Sequence, residues 1–488
     1  MMPRIHKYCF IFFFSSLIFI SYLSIHIQCY AQSITWQKTY NSPFSGDDIG
    51  NDICQTTDGN FYIAGALTAA PNSYSLIYIL KIDKFGDTIW TRAFGNSSNG
   101  GQVAYAIAPS DDGGCVFTGA WYESFAMKLD SNGNIVWQRF YGGSQVQCKD
   151  MIKSSTGDYV ACGFSTAGTT NGYAYKISSN GSLIWQQTFP SGENMTLNCL
   201  TQAVDSGYIL VGNLQNSLNE IPKALVMKID AAGIVVWVDT FRVNGLTSLT
   251  NIDKTTNYYV VSGQTGNYLN TRTFFSRVDL SGTPIYTKLF VSSRNEYSAR
   301  IAILNDNSFV VSVLRDSLLP QRVVEVKIID SSGFTRKQRV FTSTYGMGIV
   351  SILPIADTAI LYIGYAEYNF TNGADVYCLS TDTNLYAPPP NAVQTSDENQ
   401  PRTTYLFQNY PNPFNNSTII RFNVRKASNI CLMLYDITGR VLATLRNSFF
   451  LPGEYGFPLD ATEYASGIYF ITLRTGDMQT TKKLILLR

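Results

Sequence analysis

Two aspartates, Asp52 and Asp150, are the side chains of this sequence best suited to acid–base chemistry. They occupy corresponding positions in a repeated unit, on its first strand-like segment. Two carboxylates that face each other can divide the work of donating and accepting a proton. The other repeats place Ala106, Cys199, Asn251, Arg300 and Ser351 at that position. Solvated carboxylates at the mouth of a channel would produce the same pattern without catalysis.

The N-terminal segment has the features of a secretory signal peptide. Arg4 and Lys7 form a positive start, residues 9–23 form an apolar run, and small residues before the end of the segment predict cleavage after Ala31. An uncleaved membrane anchor is the alternative, although the apolar run is short for a membrane span and contains serines. We therefore predict a signal peptide over residues 1–31.

Cleavage there would leave a mature chain without histidine, because His6 and His26 are the two histidines of the sequence. This excludes Ser-His and Cys-His nucleophilic sites and histidine-ligated metals. The cysteines are scattered without zinc spacing, so we predict neither a metal nor a cofactor. The formal net charge of +1 gives no indication of nucleic-acid binding.

A ten-residue phrase marks the elements that must position these side chains. Its clearest copy, residues 128–137, has an apolar run, an Asp-x-x-Gly turn and a second apolar run that ends in Trp137. An aromatic residue returns at this place about every 50 residues, from Trp36 to Tyr286. That period is typical of a four-stranded propeller blade. We predict that the aromatic residues are buried between blades and that the turn aspartates accept backbone hydrogen bonds.

Counting strand-like segments predicts how the ring closes. The first three segments of the unit occur seven times, but the seventh set is followed by prolines instead of a fourth segment. An additional fourth-type segment lies at residues 33–40. The all-β fold expected over residues 32–385 is therefore a seven-bladed β-propeller in which the N-terminal strand completes the last blade. An open solenoid of sheets is the alternative.

One face of this propeller carries the longer loops and is the candidate binding face. These loops contain aromatic residues beside polar ones, a combination that suits recognition of sugars or proteins. The binding candidates are Asp47, Asp48, Trp121, Tyr122, Arg294 and Glu296. Trp121 and Tyr122 could equally cover the edge of a blade.

The sequence changes character after the repeats. Residues 386–404 contain three consecutive prolines and no periodicity, which predicts a semi-extended linker. Residues 405–488 contain short alternating segments separated by turns, which predict a small C-terminal β-sandwich.

Four motifs of this C-terminal region occur in a characteristic order. They comprise Asn409, Tyr410, Pro411, Asn412, Pro413 and Phe414; Asp436, Gly439 and Arg440; Gly467 and Tyr469; and Lys482 and Lys483. With these motifs, residues 405–488 resemble the C-terminal sorting domain (type A) of the type IX secretion system. The preceding units resemble the surface propeller repeats that are often joined to bacterial sorting domains.

The resemblance implies passage across the outer membrane of a Gram-negative bacterium by the type IX machinery, followed by removal of the domain. The mature protein would be secreted or held on the cell surface, where surface glycolipid is an expected partner. We predict a non-enzymatic recognition or adhesion module with an unknown glycan or protein ligand. An exported carbohydrate-active enzyme that uses Asp52 and Asp150 is the alternative function.

Overall fold

The structure is a computed structural model, and it describes most of the chain beyond the N-terminal segment. The described ranges are 35–42, 46–68, 74–95, 101–121, 123–216, 221–267, 270–290, 294–316, 322–343, 346–356, 358–367, 373–387, 404–409, 411–424, 428–450, 453–476 and 478–487. The predicted signal peptide and most of the predicted linker lie outside them. Within these ranges no helix is long and apolar enough to cross a membrane. The described residues fall into two compact units, one up to residue 390 and one from residue 391 onward.

Seven four-stranded antiparallel sheets form the blades of the first unit. Blade 1 contains β2 (Asp48–Gln55), β3 (Phe61–Thr68), β4 (Ser75–Ile82) and β5 (Thr88–Phe94). Blade 2 contains β6 (Val103–Pro109), β7 (Cys115–Trp121), β8 (Glu123–Leu129) and β9 (Ile135–Ser144). Blade 3 contains β10 (Val146–Lys153), β11 (Tyr159–Ser165), β12 (Asn171–Ile177) and β13 (Leu183–Phe189). Blade 4 contains β14 (Asn194–Gln202), β15 (Tyr208–Gln215), β16 (Lys223–Ile229) and β17 (Val235–Phe241).

The remaining blades follow the same order with one exception at the end. Blade 5 contains β18 (Leu246–Lys254), β19 (Tyr259–Asn267), β20 (Asn270–Val278) and β21 (Pro284–Leu289). Blade 6 contains β22 (Glu296–Ile303), β23 (Phe309–Asp316), β24 (Arg322–Ile329) and β25 (Thr335–Phe341). Blade 7 contains β26 (Gly346–Ile355), β27 (Ala359–Glu367) and β28 (Ala374–Thr381), and its fourth strand is β1 (Trp36–Tyr40).

Closure of the ring by the N-terminal strand is confirmed. Strand β1 pairs antiparallel with β28 in a register that places Trp36 opposite Ser380 and Tyr40 opposite Val376. The first strands of neighbouring blades contact one another around the ring, and β2 of blade 1 contacts β26 of blade 7. The predicted seven-bladed propeller is therefore correct, and the open solenoid is not.

The contact between neighbouring blades is made by the two halves of the repeated phrase. Trp36 of blade 7 lies on the Gly86 turn of blade 1 and donates its indole N–H to the carbonyl of Lys84 at 3.1 Å. Trp90 makes the same hydrogen bond to Ser131 of blade 2 at 3.1 Å. Gly86 has a φ of 75°, and a Cβ at this residue would lie 2.9 Å from three atoms of the Trp36 ring. The turn needs glycine both for its left-handed backbone and for the indole that covers it.

The predicted role of the turn aspartates is also confirmed. Asp130 accepts hydrogen bonds on its Oδ1 atom from the backbone N–H groups of Asn132 and Asn134, at 2.9 and 2.8 Å. Asp230 and Asp330 accept the same pair in their own turns. The side-chain amide of Asn134, and after it these backbone donors, lower the pKa of Asp130 because they stabilise the ionised carboxylate.

The second unit is a two-sheet β-sandwich, as expected from the sequence. One sheet has the order β29 (Tyr405–Leu406), β30 (Ser417–Val424) and β33 (Gly453–Asp460). The other has the order β32 (Val441–Phe450), β31 (Ser428–Tyr435), β34 (Gly467–Thr475) and β35 (Met478–Leu486). The alternating apolar residues of both sheets meet in one core, which includes Phe422, Leu432, Ile471 and Leu484.

The contact between Trp36 of blade 7 and the Gly86 turn of blade 1, which we name the closing seam, can be tested by substitution of Gly86. We expect Gly86→Ala to destabilise the protein more than Gly157→Ala. Gly157 has a similar φ of 85°, but a Cβ there would meet nothing within 4 Å. The control Gly157→Ala should lower the free energy of unfolding by about 1–2 kcal/mol, because alanine disfavours a left-handed backbone. In Gly86→Ala the clash with Trp36 should lower it by about 1–3 kcal/mol more. Urea denaturation of both variants measures the difference, and equal losses would contradict a packed closing seam.

Candidate functional site

The centre of the ring is lined by pairs of consecutive residues because the first strand has a β-bulge at the same position in six of the seven blades. In blade 1 the register with β3 shifts between Gly50 and Asp52, so Asn51 is the additional residue. A bulge of this kind re-aims side chains. We name these additional residues the bulge residues: Asn51, Tyr105, Lys149, Asn198, Thr250 and Val350. We name the residues that follow them, with Arg300 of blade 6, the belt residues: Asp52, Ala106, Asp150, Cys199, Asn251, Arg300 and Ser351.

A glycine on the second strand makes room for each bulge. A Cβ at Gly65 would lie 1.9 Å from the carbonyl oxygen of Ile49, and the equivalent glycines of the other five blades are equally close to theirs. Blade 6 has Val313 at this position, opposite Ala299, and its register shift lies earlier, between Glu296 and Ser298. The glycine of one strand thus determines which residues of its neighbour reach the channel.

Bulge and belt residues surround a cavity of about 280 Å³. The residues that line it are Asn51, Asp52, Tyr105, Lys149, Asp150, Asn198, Cys199, Thr250, Asn251, Arg300, Ile301, Val350, Ser351 and Ile352. Both candidate catalytic carboxylates therefore border the same space. Sequence alignment of the repeats identified the belt residues but missed the bulge residues, and the glycine of each second strand was the signal that could have found them.

The two carboxylates are occupied by contacts that join blades. Asp52 accepts hydrogen bonds from the backbone N–H of Ile107 at 2.9 Å and from the hydroxyl of Ser351 at 2.8 Å. Ile107 belongs to blade 2 and Ser351 to blade 7, so Asp52 connects both neighbours of blade 1. Asp150 accepts from Leu200 of blade 4 and from the backbone N–H of Met151, both at 2.8 Å.

Other belt residues make the same kind of contact. Asn251 accepts a hydrogen bond from the backbone N–H of Ile301 in blade 6 at 2.9 Å. Arg300 in turn donates from its Nε atom to the carbonyl of Val350 in blade 7. Four belt residues, Asp52, Asp150, Asn251 and Arg300, thus link their side chains to the backbone of the next blade. Ser351 instead bonds to the side chain of Asp52, and Ala106 has no polar side chain.

The positions of Asp52 and Asp150 change their protonation equilibria. Burial raises the pKa of Asp52 to about 7, and repulsion by Asp150 adds to this, against the opposing hydrogen bonds from Ile107 and Ser351. Burial also raises the pKa of Asp150, while its hydrogen bonds and the charge of Arg300 lower it. Asp52 can therefore hold a proton near neutral pH, a property that general acids share.

Within the described ranges, no group of three or more His, Cys, Asp or Glu side chains is arranged to hold a metal ion. The seven cysteines from Cys54 to Cys431 carry free thiols. Most of them are buried in strands and pack as small apolar side chains.

Two of the predicted binding-face residues lie inside the protein. Asp48 is 0% exposed and accepts hydrogen bonds from the backbone N–H and the hydroxyl of Ser42. Glu296 is 2% exposed and accepts from the backbone N–H and the hydroxyl of Thr273, both at 2.7 Å. Their carboxylates hold loops and neighbouring strands, so the structure removes both from an accessible face.

The other binding-face residues remain at the surface or near it. Asp47 is exposed, and its Oδ1 atom accepts the backbone N–H of Ala374 in blade 7 at 2.9 Å. Trp121 is partly buried and packs edge-on against Phe125 and Phe140, with ring centres 6.3 and 6.1 Å apart. Arg294 is also partly buried. Tyr122 lies outside the described residues.

In the C-terminal sandwich, the first and last sorting motifs form one contact. Asn412 donates to the carbonyl of Lys483 at 3.1 Å and accepts the backbone N–H of Ile485 at 2.9 Å. Phe414 is buried and bonds through its backbone to Ile485 and Leu487. Asn409 is also buried, and its amide donates to the carbonyl of Pro411 at 2.9 Å. Residues at the two ends of the motif series thus fix the edge strand β35.

The remaining motif residues occupy turns and surface positions. Asp436 accepts from the backbone N–H of Arg440 at 3.0 Å in a turn where Gly439 has a φ of 84°. The hydroxyl of Tyr469 donates to the carbonyl of Ala465 at 2.6 Å, two residues before Gly467. Lys482 donates to the hydroxyl of Tyr405 at 2.8 Å. Pro413 and Lys483 are exposed, and Tyr410 lies outside the described residues.

The raised pKa of Asp52 predicts a specific dependence of stability on pH. Between the usual pKa of about 4 and the native value of about 7, the native state keeps a proton that the unfolded chain has lost. This contribution is present below about pH 4 and is lost as the pH rises through 7. Asp52→Asn keeps an acceptor for Ile107 and cannot titrate. The melting temperature of the wild type relative to Asp52→Asn should therefore fall across this interval, and parallel pH profiles would contradict the assignment.

The joined sorting motifs can be separated by Asn412→Ala, which removes both hydrogen bonds to β35. We expect a loss of about 1–3 kcal/mol, since each of the two hydrogen bonds contributes about 0.5–1.5 kcal/mol, and we expect less of the chain to leave the periplasm. The exposed neighbour Asn415→Ala is the matched control. Thermal unfolding and immunoblots of periplasmic and exported fractions measure the two effects. Export of Asn412→Ala at the level of the control would show that this contact is dispensable.

Comparison with solved structures finds several proteins with limited similarity. PorZ, described as an essential surface component of the type IX secretion system of Porphyromonas gingivalis, is 12% identical with a TM-score of 0.43. The match covers 92% of this chain and 61% of PorZ, so the chain spans less than two thirds of that protein. Hydrazine synthase of Kuenenia stuttgartiensis is 14% identical with a TM-score of 0.46, over 72% of this chain and 99% of that one. A search of curated proteins finds no match.

The C-terminal unit has a specific match. Residues 408–487 match the family described as the secretion system C-terminal sorting domain. This range includes all four motifs and the contact between Asn412 and β35. The chain is therefore an exported β-propeller protein that carries a C-terminal sorting domain of the type IX secretion system, which directs it to the cell surface or to secretion.

Proposed function

We propose that the propeller is a non-enzymatic recognition module, which the sorting domain delivers to the outside of the cell. The observation that carries this proposal is the engagement of the two candidate carboxylates. Asp52 accepts hydrogen bonds from Ile107 and Ser351, and Asp150 accepts them from Leu200 and Met151. A catalytic carboxylate must reach the substrate, whereas these carboxylates are held by the blades that surround them.

The long-loop face supports recognition of a glycan or a protein. Asp47 is exposed there, with Trp121 and Arg294 partly accessible. An aromatic side chain beside charged groups offers both an apolar contact and hydrogen bonds to a ligand. Asp48 and Glu296 support this face from inside, and Tyr122 belongs to the proposed face by its sequence position. Surface glycolipid is a proposed partner after the sorting domain has been removed.

An exported carbohydrate-active enzyme is the second candidate. The raised pKa of Asp52 and its position at a cavity with Asp150 favour it, since glycosidases use one protonated and one ionised carboxyl group.

Turnover and binding by the full chain distinguish the two candidates. We expect the purified protein to bind members of a glycan and surface-protein panel without cleaving any of them, because Asp52 and Asp150 are held in hydrogen bonds between blades. The double variant Asp52→Asn/Asp150→Asn should bind as the wild type does, once circular dichroism has shown that it is folded. Cleavage of a glycan by the wild type that disappears in the folded double variant would establish the enzyme instead.

A further inference from the structure

We propose that the channel cavity is a binding site for a small hydroxylated carboxylate, such as a uronic acid, with Lys149 as its charged anchor. This inference rests on the proposed recognition function, because it assigns a ligand class to a protein that binds without turnover. It concerns the bulge residues and not the long-loop face.

Lys149 is the first reason. Its ammonium group lies 3.7 Å from the centre of the Tyr105 ring and 5.7 Å from the centre of the Phe164 ring. Among the described residues it forms no ion pair. Other lysines of the repeats do pair with an aspartate: Lys81 with Asp58, Lys128 with Asp112, Lys153 with Asp111, Lys176 with Asp158 and Lys228 with Asp205. Lys149 therefore keeps a cation at the cavity that aromatic rings position and that no carboxylate neutralises.

The amides of two bulge residues are the second reason. Asn51 donates to the carbonyl of Ala104 and Asn198 donates to the carbonyl of Leu249, each at 2.8 Å. These donations fix the orientation of both amides. Their Oδ1 atoms accept no hydrogen bond from the described part of the chain, and both side chains line the cavity. Fixed acceptors of this kind suit the hydroxyl groups of a ligand.

The charged belt residues are engaged by the ring, which leaves Lys149 as the charged side chain available to a ligand. Asp52 and Asp150 already accept hydrogen bonds from backbone N–H groups of the neighbouring blades. Arg300 is also engaged, because it donates to the carbonyls of Val350 and Thr250. The charged side chain at the cavity without such a partner is Lys149. A carboxylate that binds its ammonium would form a charge-assisted hydrogen bond in a partly enclosed site.

The size of the cavity limits the ligand. Its volume of about 280 Å³ lies just below the range of about 300–1,000 Å³ that is usual for drug-sized ligands. A single acidic sugar residue, or the end of an acidic glycan, is the appropriate class.

Calorimetric titration of the full chain with glucuronate tests the proposal. We expect binding at millimolar ligand, and we expect it to weaken about tenfold or more in Lys149→Met, which keeps the apolar stem but loses the charge. Lys153→Met on the same strand β10 is the matched control and should bind as the wild type does, because Lys153 pairs with Asp111 outside the cavity. Glucose, which has the hydroxyl groups but no carboxylate, should bind at least about tenfold more weakly than glucuronate.

Two results would overturn the proposal. One is the absence of glucuronate binding by folded wild-type protein, and the other is equal affinity of Lys149→Met and Lys153→Met. Neither would affect the proposed recognition function, which the glycan and protein panel tests at the long-loop face. Hydrolysis of a glucuronide that requires Asp52 and Asp150 would instead reject the non-enzymatic function itself.

Discussion

The contact between a fourth-strand aromatic residue and the turn glycine of the next blade is the interaction on which the ring depends. In blades 1 to 5, each copy of the phrase supplies a turn glycine to the preceding blade and an aromatic ring to the following one. Trp137, for example, covers Gly181 and donates to the carbonyl of Ser179 at 3.2 Å. Because every blade needs both neighbours, a linear array would leave an uncovered turn at one end. Trp36 on β1 removes that defect by covering Gly86, which explains why the chain begins its described fold with a lone fourth strand.

The contact between blade 6 and the turn of blade 7 is made by different side chains. The turn that follows β28 keeps the hydrogen bonds of the other turns, with Leu385 at the glycine position and a φ of 63°. Blade 6 offers no tryptophan to it. Lys337 donates instead to the carbonyl of Thr383 at 3.0 Å, and Arg339 donates to the carbonyls of Leu385 and Ala387 at 2.9 and 3.2 Å. Long cationic side chains can hold a turn that has a side chain where glycine is usual, because they reach its carbonyls around the added bulk.

The sequence was sufficient to predict the number of blades, the closing strand and the sorting domain, but only part of the channel. The number of blades follows from the spacing of residues such as Trp90 and Trp137. The aromatic residue and the turn glycine that make the contacts between blades both lie within one ten-residue repeat, so they can be recognised in the sequence. The bulge residues were missed because the position of a bulge is not encoded in its own strand. It depends on whether the facing strand has a glycine such as Gly65 or a larger residue such as Val313. Asp48 and Glu296 are predicted on an accessible face because they lie in or beside the longer loops of the propeller. Burial was possible for them because donors from Ser42 and Thr273 satisfy their carboxylates.

Belt and bulge residues differ in what they contribute to the channel, and this difference explains how one scaffold can be both stable and variable. Belt residues such as Asp52 and Asn251 accept backbone N–H groups of the next blade, so a change there disturbs the ring. Bulge residues lie one position earlier and are extruded from the strand pairing, so their side chains can differ without loss of ladder hydrogen bonds. They do differ, from the ammonium of Lys149 to the phenol of Tyr105 and the isopropyl group of Val350. The proposed ligand would therefore meet side chains that the strand pairing leaves free to vary, although Asn51 and Asn198 also bond to the next blade. The glycines opposite the bulge residues make room for them.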